Sequence, residues 1–193
     1  MGLFSKKDDN KKSCPICGGK MGFLSSEIVE DGEICDNCAE KIRPMLADEE
    51  VLSRITIEEA KNKMAGIERR VNEIANATGA SAIFEIYMAE ILEPKMGVVG
   101  IKKAKEHKGR IGIQGCVNMG AFMNGDSVVI ISGETETEAT IYGVYEAIDR
   151  MDLDEIISTG SRKKGITEGM QSYIVLAEEG LIPPDGSAKI IKK

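Results

Sequence analysis

Two Cys-x-x-Cys pairs, Cys14-Pro15-Ile16-Cys17 and Cys35-Asp36-Asn37-Cys38, stand 17 residues apart near the start of the chain. No other feature limits the fold as tightly. The interval falls within the spacing of a four-thiolate zinc site. Each pair, set on a tight turn, aims two sulfurs inward, and two such turns complete the tetrahedral set zinc prefers. Cys14, Cys17, Cys35 and Cys38 are therefore the expected metal ligands, holding a structural Zn2+. A site closed by four protein ligands leaves no coordination position for water, so zinc catalysis is not expected. A thiol redox switch on the same pairs is the alternative, and it entails reversible metal loss on oxidation.

Residues 1–50 read as one metal-stapled module. Residues 5–13 are mostly Lys, Asp, Asn and Ser, a composition for a flexible lead-in. Gly18-Gly19 allow the backbone angles a cysteine knuckle needs. Met21–Leu24 and Glu27–Cys35 are expected as short strands, with Asp31-Gly32 as a hairpin turn that returns the second pair to the first. Met1–Asn10 carries charges but no apolar stretch of the kind a secretion signal contains. Lys6 stands where a myristoylation motif has Ser or Thr. Thiols paired in this way fit a reducing cytoplasm and a metal better than disulfides. No apolar run approaches the roughly 18 residues of a membrane span.

The run Cys-Pro-Ile-Cys-Gly-Gly-Lys-Met-Gly-Phe-Leu at 14–24, followed by Val-Glu-Asp-Gly-Glu-Ile-Cys-Asp-Asn-Cys at 29–38, resembles a bacterial N-terminal zinc-ribbon domain of unknown function. The resemblance extends from about Leu3 into the following helix. It implies the four cysteines as ligands and implies no activity.

Residues 51–80 form a helical connector. Thr56 with Glu59 is a capping box, each side chain satisfying a free amide at the helix start. Ile57, Ala60, Met64, Ile67, Val71 and Ile74 fall on one stripe, and Asn76–Gly79 supplies the stop. The stripe is expected to pack on the rest of the chain. Its steps also match a coiled-coil seam, which would make a homodimer through the 56–76 helix.

Residues 81–193 change to short β-rich runs broken by glycine. Val98–Ala104, Arg110–Val117, Ser127–Ser132, Thr137–Tyr145, Met170–Ala177 and Ala188–Ile191 read as strands, with turns at Lys108-Gly109, Asn124-Gly125 and Asp185-Gly186. Short strands at near-regular spacing point to a small closed β-barrel, which removes exposed edges. Ile83–Leu92 fits either strand or helix. Asp152–Ser158 reads as a helical insert with Asp152 as cap. The fold class is thus mainly β, a small zinc ribbon plus a closed barrel joined by a helical connector.

Gly115, Val117, Gly120, Gly125, Asp126 and Val128 form the pattern G-x-V-x-x-G-x-x-x-x-G-D-x-V. With Thr140–Ile148 and Gly169…Val175-Leu176, it resembles the second, β-barrel domain of elongation factor Tu and related translational GTPases. The resemblance implies a fold and no reaction, because no G-x-x-x-x-G-K-[ST] loop is present to cradle a triphosphate. The 149–164 segment is longer than that family's connection.

The remaining chemistry is sparse. His107, the one histidine, sits between Glu106 and Lys108 and reads as a solvated turn residue; Cys116 reads as a small buried hydrophobe. Glu134, Glu136 and Glu138 read as a solvated strand face that discourages edge pairing. Arg162-Lys163-Lys164 reads as an exposed basic loop. The net charge of −7 is spread over both halves, 12 basic against 15 acidic groups in residues 1–80 and 13 against 17 in residues 81–193. That balance disfavours nonspecific phosphate binding. No catalytic or cofactor-binding residue is assigned. The expected function is that of a non-catalytic interaction or adaptor protein in the cytoplasm, with a protein partner. The alternative is an RNA- or ribosome-associated factor.

Overall fold

In a computed structural model, described for residues 12–22, 25–47, 49–93, 107–147, 153–159 and 162–193, the chain divides into two compact units, Met1–Gly66 and Ile67–Lys193. In the first, strands β1 (Ser26–Val29) and β2 (Gly32–Cys35) make an antiparallel hairpin whose register pairs Ser26 with Cys35. Arg43, past the following helix, reaches back to Glu27 at 2.6 Å. Met21 and Gly22 belong to no strand, contrary to the reading of Met21–Leu24; Phe23 and Leu24 lie outside the described residues.

Asp31 and Gly32 act differently from what a turn dipeptide suggests. The Asp31 carboxylate accepts the Ile57 amide at 2.7 Å, so it caps the long helix that begins at Ile57 rather than its own turn. A Cβ on Gly32 would stand 2.8 Å from Ile57 Cδ1. Any larger residue there would require the Ile57 side chain to move aside.

The helix α2 (Ile57–Thr78) begins in the first unit and ends in the second. Its capping box forms as read: Glu59 donates its amide to Thr56 Oγ1 at 3.2 Å, and Thr56 donates its own to Glu59 Oε2 at 2.7 Å. Ala60, Met64, Ile67 and Val71 are all buried within the chain. Ile57 and Ile74, at the ends of the same stripe, are part-buried.

Six antiparallel strands of the second unit close into a barrel. They are β3 (Ala82–Ile91), β4 (Arg110–Met119), β6 (Ser127–Ser132), β7 (Thr135–Glu146), β10 (Gln171–Glu179) and β11 (Lys189–Lys192). Around the barrel the order is β3-β4-β10-β7-β6-β11 and back to β3. Ile83–Leu92 is therefore strand. Val98–Ala104 lies outside the described residues. Short pairs that three-residue runs do not announce complete the unit: β5 (Ala121–Met123) with β9 (Gly165–Thr167), and β8 (Arg162–Lys163) on β7. Phe84 and Phe122 meet edge-on at 6.1 Å inside the barrel, among Ile86, Ile113, Ile141 and Ile174. Cys116 is fully buried as expected.

The glycine pattern marks places where the backbone leaves no room. A Cβ on Gly115 would lie 2.0 Å from the Glu85 carbonyl oxygen, beside the register shift between Ile86 and Met88. Gly120 (φ +71°) and Gly125 (φ +86°) need the left-handed region. Asp126 accepts the Met123 amide and pairs with Lys192, both at 2.8 Å.

A bulge leaves Tyr142 without a partner in the β7–β10 register, which steps from Gly143 to Ile141. Its ring lies under Arg110 at 4.3 Å and Arg162 at 4.9 Å, and Arg162 donates to its carbonyl. The loop reading of Arg162-Lys163-Lys164 is thereby corrected. The residues are exposed, but Arg162 and Lys163 are a strand, and Lys163 pairs with Glu146 at 2.6 Å.

The helical insert is α3 (Leu153–Thr159); Asp152, its expected cap, lies outside the described residues. Leu153, Ile156 and Ile157 join Leu92, Tyr145, Tyr173 and Val175 in a second apolar cluster. His107 is 5% exposed, with Nε2 3.0 Å from the Tyr145 hydroxyl. The solvated-turn reading is wrong because tyrosines distant in sequence enclose the ring. Glu136 and Glu138 are exposed on the half of β7 that β10 does not pair, in keeping with a solvated face.

Candidate metal centre

The first cysteine pair sits on a loop that the backbone closes on itself. Ser13 and Lys20 form a bridge, Cys14 donates its amide to Gly19 O at 2.7 Å, and Gly18 donates to Cys14 O at 2.9 Å. Gly18 holds φ +72°, which only glycine adopts without strain. The second pair is not a turn. Cys35 ends β2 and is the N-cap residue of helix α1 (Asp36–Ile42), and Cys38 lies in that helix's first turn. A strand end and a helix start thus aim the second pair of sulfurs, where Asp36-Asn37 had suggested a second knuckle.

The four sulfurs converge, each within 4.8 Å of the others. Cys14 Sγ lies 3.9 Å from Cys38 Sγ, and Cys17 Sγ 3.6 Å from Cys35 Sγ. A tetrahedron with metal–sulfur bonds of about 2.3 Å has edges of about 3.8 Å. The measured separations match that figure and are far from the roughly 2.05 Å of a disulfide. The donor set therefore fits a tetrahedral metal ion.

Two backbone amides support the sulfurs, a contribution the sequence signals only through Gly18-Gly19. Gly19 donates to Cys17 Sγ and Cys35 donates to Cys14 Sγ, both at 3.4 Å. Burial raises the pKa of Cys14, but amide donors from Cys17, Cys35 and Ile16 outweigh it and bring the thiol to about 7. Burial pushes the Cys38 thiol strongly up, and the neighbouring Cys35 and Cys17 sulfurs push it further. Cys35 is also raised, burial again leading. Sulfurs packed this closely resist joint ionisation as like charges. A divalent cation would supply the missing attraction, and its binding would release the protons.

Cys14 and Cys38 are 2% and 1% exposed, Cys35 is half-buried and Cys17 is exposed. Among the described residues, these four are the group of cysteine, histidine and carboxylate side chains placed to hold a metal ion. With four thiolates in place, a tetrahedral ion has no open position for water or substrate.

Residues 12–63 match the family model described as Domain of unknown function (DUF4428), which spans all four cysteines. No curated protein matches the chain. Among solved structures, it is similar to the Saccharomyces cerevisiae Ski7 GTPase-like domain bound to GDP and inorganic phosphate, with 9% identity over 68% of this chain and 28% of that one, at a TM-score of 0.42. It is also similar to apo translation elongation factor SelB from Methanococcus maripaludis, with 10% identity over 79% of this chain and 30% of that one, at a TM-score of 0.38. GDP-bound aIF5B from Aeropyrum pernix matches with 11% identity over 80% of this chain and 26% of that one, at a TM-score of 0.37. The chain covers less than a third of the length of each of these structures. No helix among the described residues is long and apolar enough to cross a membrane.

Proposed function

We propose that the protein is a zinc-binding, non-catalytic interaction protein of the cytoplasm, in which the ion is structural and the binding surface is protein. The observation that carries this reading is the convergence of four sulfurs at tetrahedral separations. A tetrahedral all-sulfur set suits zinc or an iron–sulfur centre. A single ion is favoured over a cluster because four sulfurs within 4.8 Å of one another, with two separations of 3.9 and 3.6 Å, enclose room for one small tetrahedron, and zinc is the ion we assign to it. With its coordination filled, the ion fixes structure and offers no Lewis-acid site.

Metal analysis and the visible spectrum of protein purified under reducing conditions test the metal. One zinc per chain and no visible absorbance are expected; iron with a coloured spectrum overturns the assignment. The interaction role is tested by purifying the tagged full chain from extract, with and without ribonuclease, beside a Cys38→Ser variant. Stoichiometric protein partners that survive ribonuclease and are lost from the variant support the proposal. Loss of every partner on ribonuclease treatment favours the RNA-associated alternative instead.

A further inference from the structure

The four ligands are unequal in access. Cys17 is exposed and Cys35 half-buried, whereas Cys14 and Cys38 are sealed from solvent. The accessible sulfur has its neighbour from the opposite pair at 3.6 Å. We propose that Cys17 and Cys35 form an oxidation site, at which a hydroperoxide links them in a disulfide and so dismantles the metal centre. This rests on the four-thiolate reading and adds to it which thiols react, in what order and with what class of reagent.

The chemistry balances with one peroxide. The Cys17 thiolate attacks a peroxide oxygen; the S–O bond forms as O–O breaks, and hydroxide leaves to become water on taking a proton. Cys17 is then a sulfenic acid. The Cys35 thiolate attacks that sulfur, the S–S bond forms as S–O breaks, and a second hydroxide leaves. Two thiolates are oxidised by two electrons in all, and hydrogen peroxide, taking up two protons from solvent, is reduced to two waters; an organic hydroperoxide would give an alcohol and one water. The sulfurs must close from 3.6 Å to about 2.05 Å. Cys17 can supply that movement, because it is exposed and followed by Gly18 and Gly19. Cys14 and Cys38 then remain as two donors, too few to retain the ion. The disulfide joins the two Cys-x-x-Cys motifs to each other, where a redox enzyme of that motif would link the two cysteines within one.

The test treats the full-length zinc-loaded protein with less than one equivalent of hydrogen peroxide. Released zinc is read with a chromophoric chelator, and disulfides are mapped by peptide mass spectrometry without reduction. A Cys17–Cys35 linkage is expected as the first product, with one zinc released per linkage formed and both changes reversed by a thiol reductant plus zinc. Labelling with N-ethylmaleimide should modify Cys17 ahead of Cys14, Cys38 and Cys116. A Cys14–Cys17 or Cys35–Cys38 linkage appearing first, or zinc retained after peroxide is consumed, overturns the proposal. If the untreated protein holds no zinc, the metal reading fails, and the same mapping still decides which thiols pair.

Discussion

His107 Nε2 lies 3.0 Å from the Tyr145 hydroxyl, joining the approach to β4 with β7 across 38 positions of sequence. The imidazole also meets the Tyr142 ring edge-on at 5.1 Å. Tyr145→Phe removes one partner from a buried polar group, which costs about 1–2 kcal/mol. His107→Ala also empties ring volume beside α3's apolar cluster, so its cost is expected to exceed that of Tyr145→Phe. Urea unfolding of the two variants beside the parent checks the order; a Tyr145→Phe variant as stable as the parent would show that the contact contributes nothing.

The metal is expected to hold the first unit together. Binding by four thiolates is worth about 10–16 kcal/mol in apparent terms, comparable to the whole folding energy of so small a module. Chelation under reducing conditions should therefore abolish dispersed amide resonances of residues 12–66 and leave the barrel resonances in place. Cys14→Ser and Cys38→Ser should mimic chelation. Retention of native shifts around Ile34 and Ile42, both fully buried, would refute it.

Asp185 gives a pH signature. The Ser187 hydroxyl and amide, with smaller help from the Ser132 hydroxyl and the Ala188 amide, hold its carboxyl below the usual aspartate value of 3.8. A carboxyl with a depressed folded pKa contributes stability above its unfolded pKa and loses it as pH falls through the folded one. The side-chain carbon shift of Asp185 should thus titrate below pH 3.8, and Asp185→Asn should remove this part of the acid sensitivity. A midpoint at or above the usual value would show that the turn's hydrogen bonds are absent in solution.

The cysteine cluster and five of the six barrel strands are legible from sequence because both rest on local patterns, ligand spacing in one and alternation between glycine turns in the other; β3, which the pattern of Ile83–Leu92 leaves between strand and helix, is decided by its pairing with β4 and β11. Cys35 and Cys38 were placed together correctly but on the wrong element. Asp36-Asn37 suits a turn and a helix start equally, and the choice is made by β2 running directly into α1. His107 was misread for a different reason. Its neighbours Glu106 and Lys108 advertise solvent, and the tyrosines that bury it lie more than thirty residues away. Asp31 illustrates the same limit, since its carboxylate caps a helix 26 residues on. Strands as short as β5 and β9 carry too few residues for alternation to show.

Gly115 offers the sharpest check on the barrel. A Cβ there would stand 2.0 Å from the Glu85 carbonyl oxygen and 2.5 Å from the Phe84 ring. The ring can swing aside at the expense of its edge-on packing against Phe122, but the carbonyl belongs to the β3–β4 ladder and cannot retreat without opening it. Gly115→Ala is therefore expected to cost about 3 kcal/mol, the upper part of the range for overpacked cores. Gly66→Ala is the matched control, because it lies within α2 and its Cβ would meet nothing within 4 Å. Helix propensity alone should make that substitution stabilising by up to about 1 kcal/mol. Denaturation midpoints that move in opposite directions for the two alanines would locate the strain in the β3–β4 pairing. A Gly115→Ala variant as stable as the parent would mean that these strands do not approach as closely as the register requires.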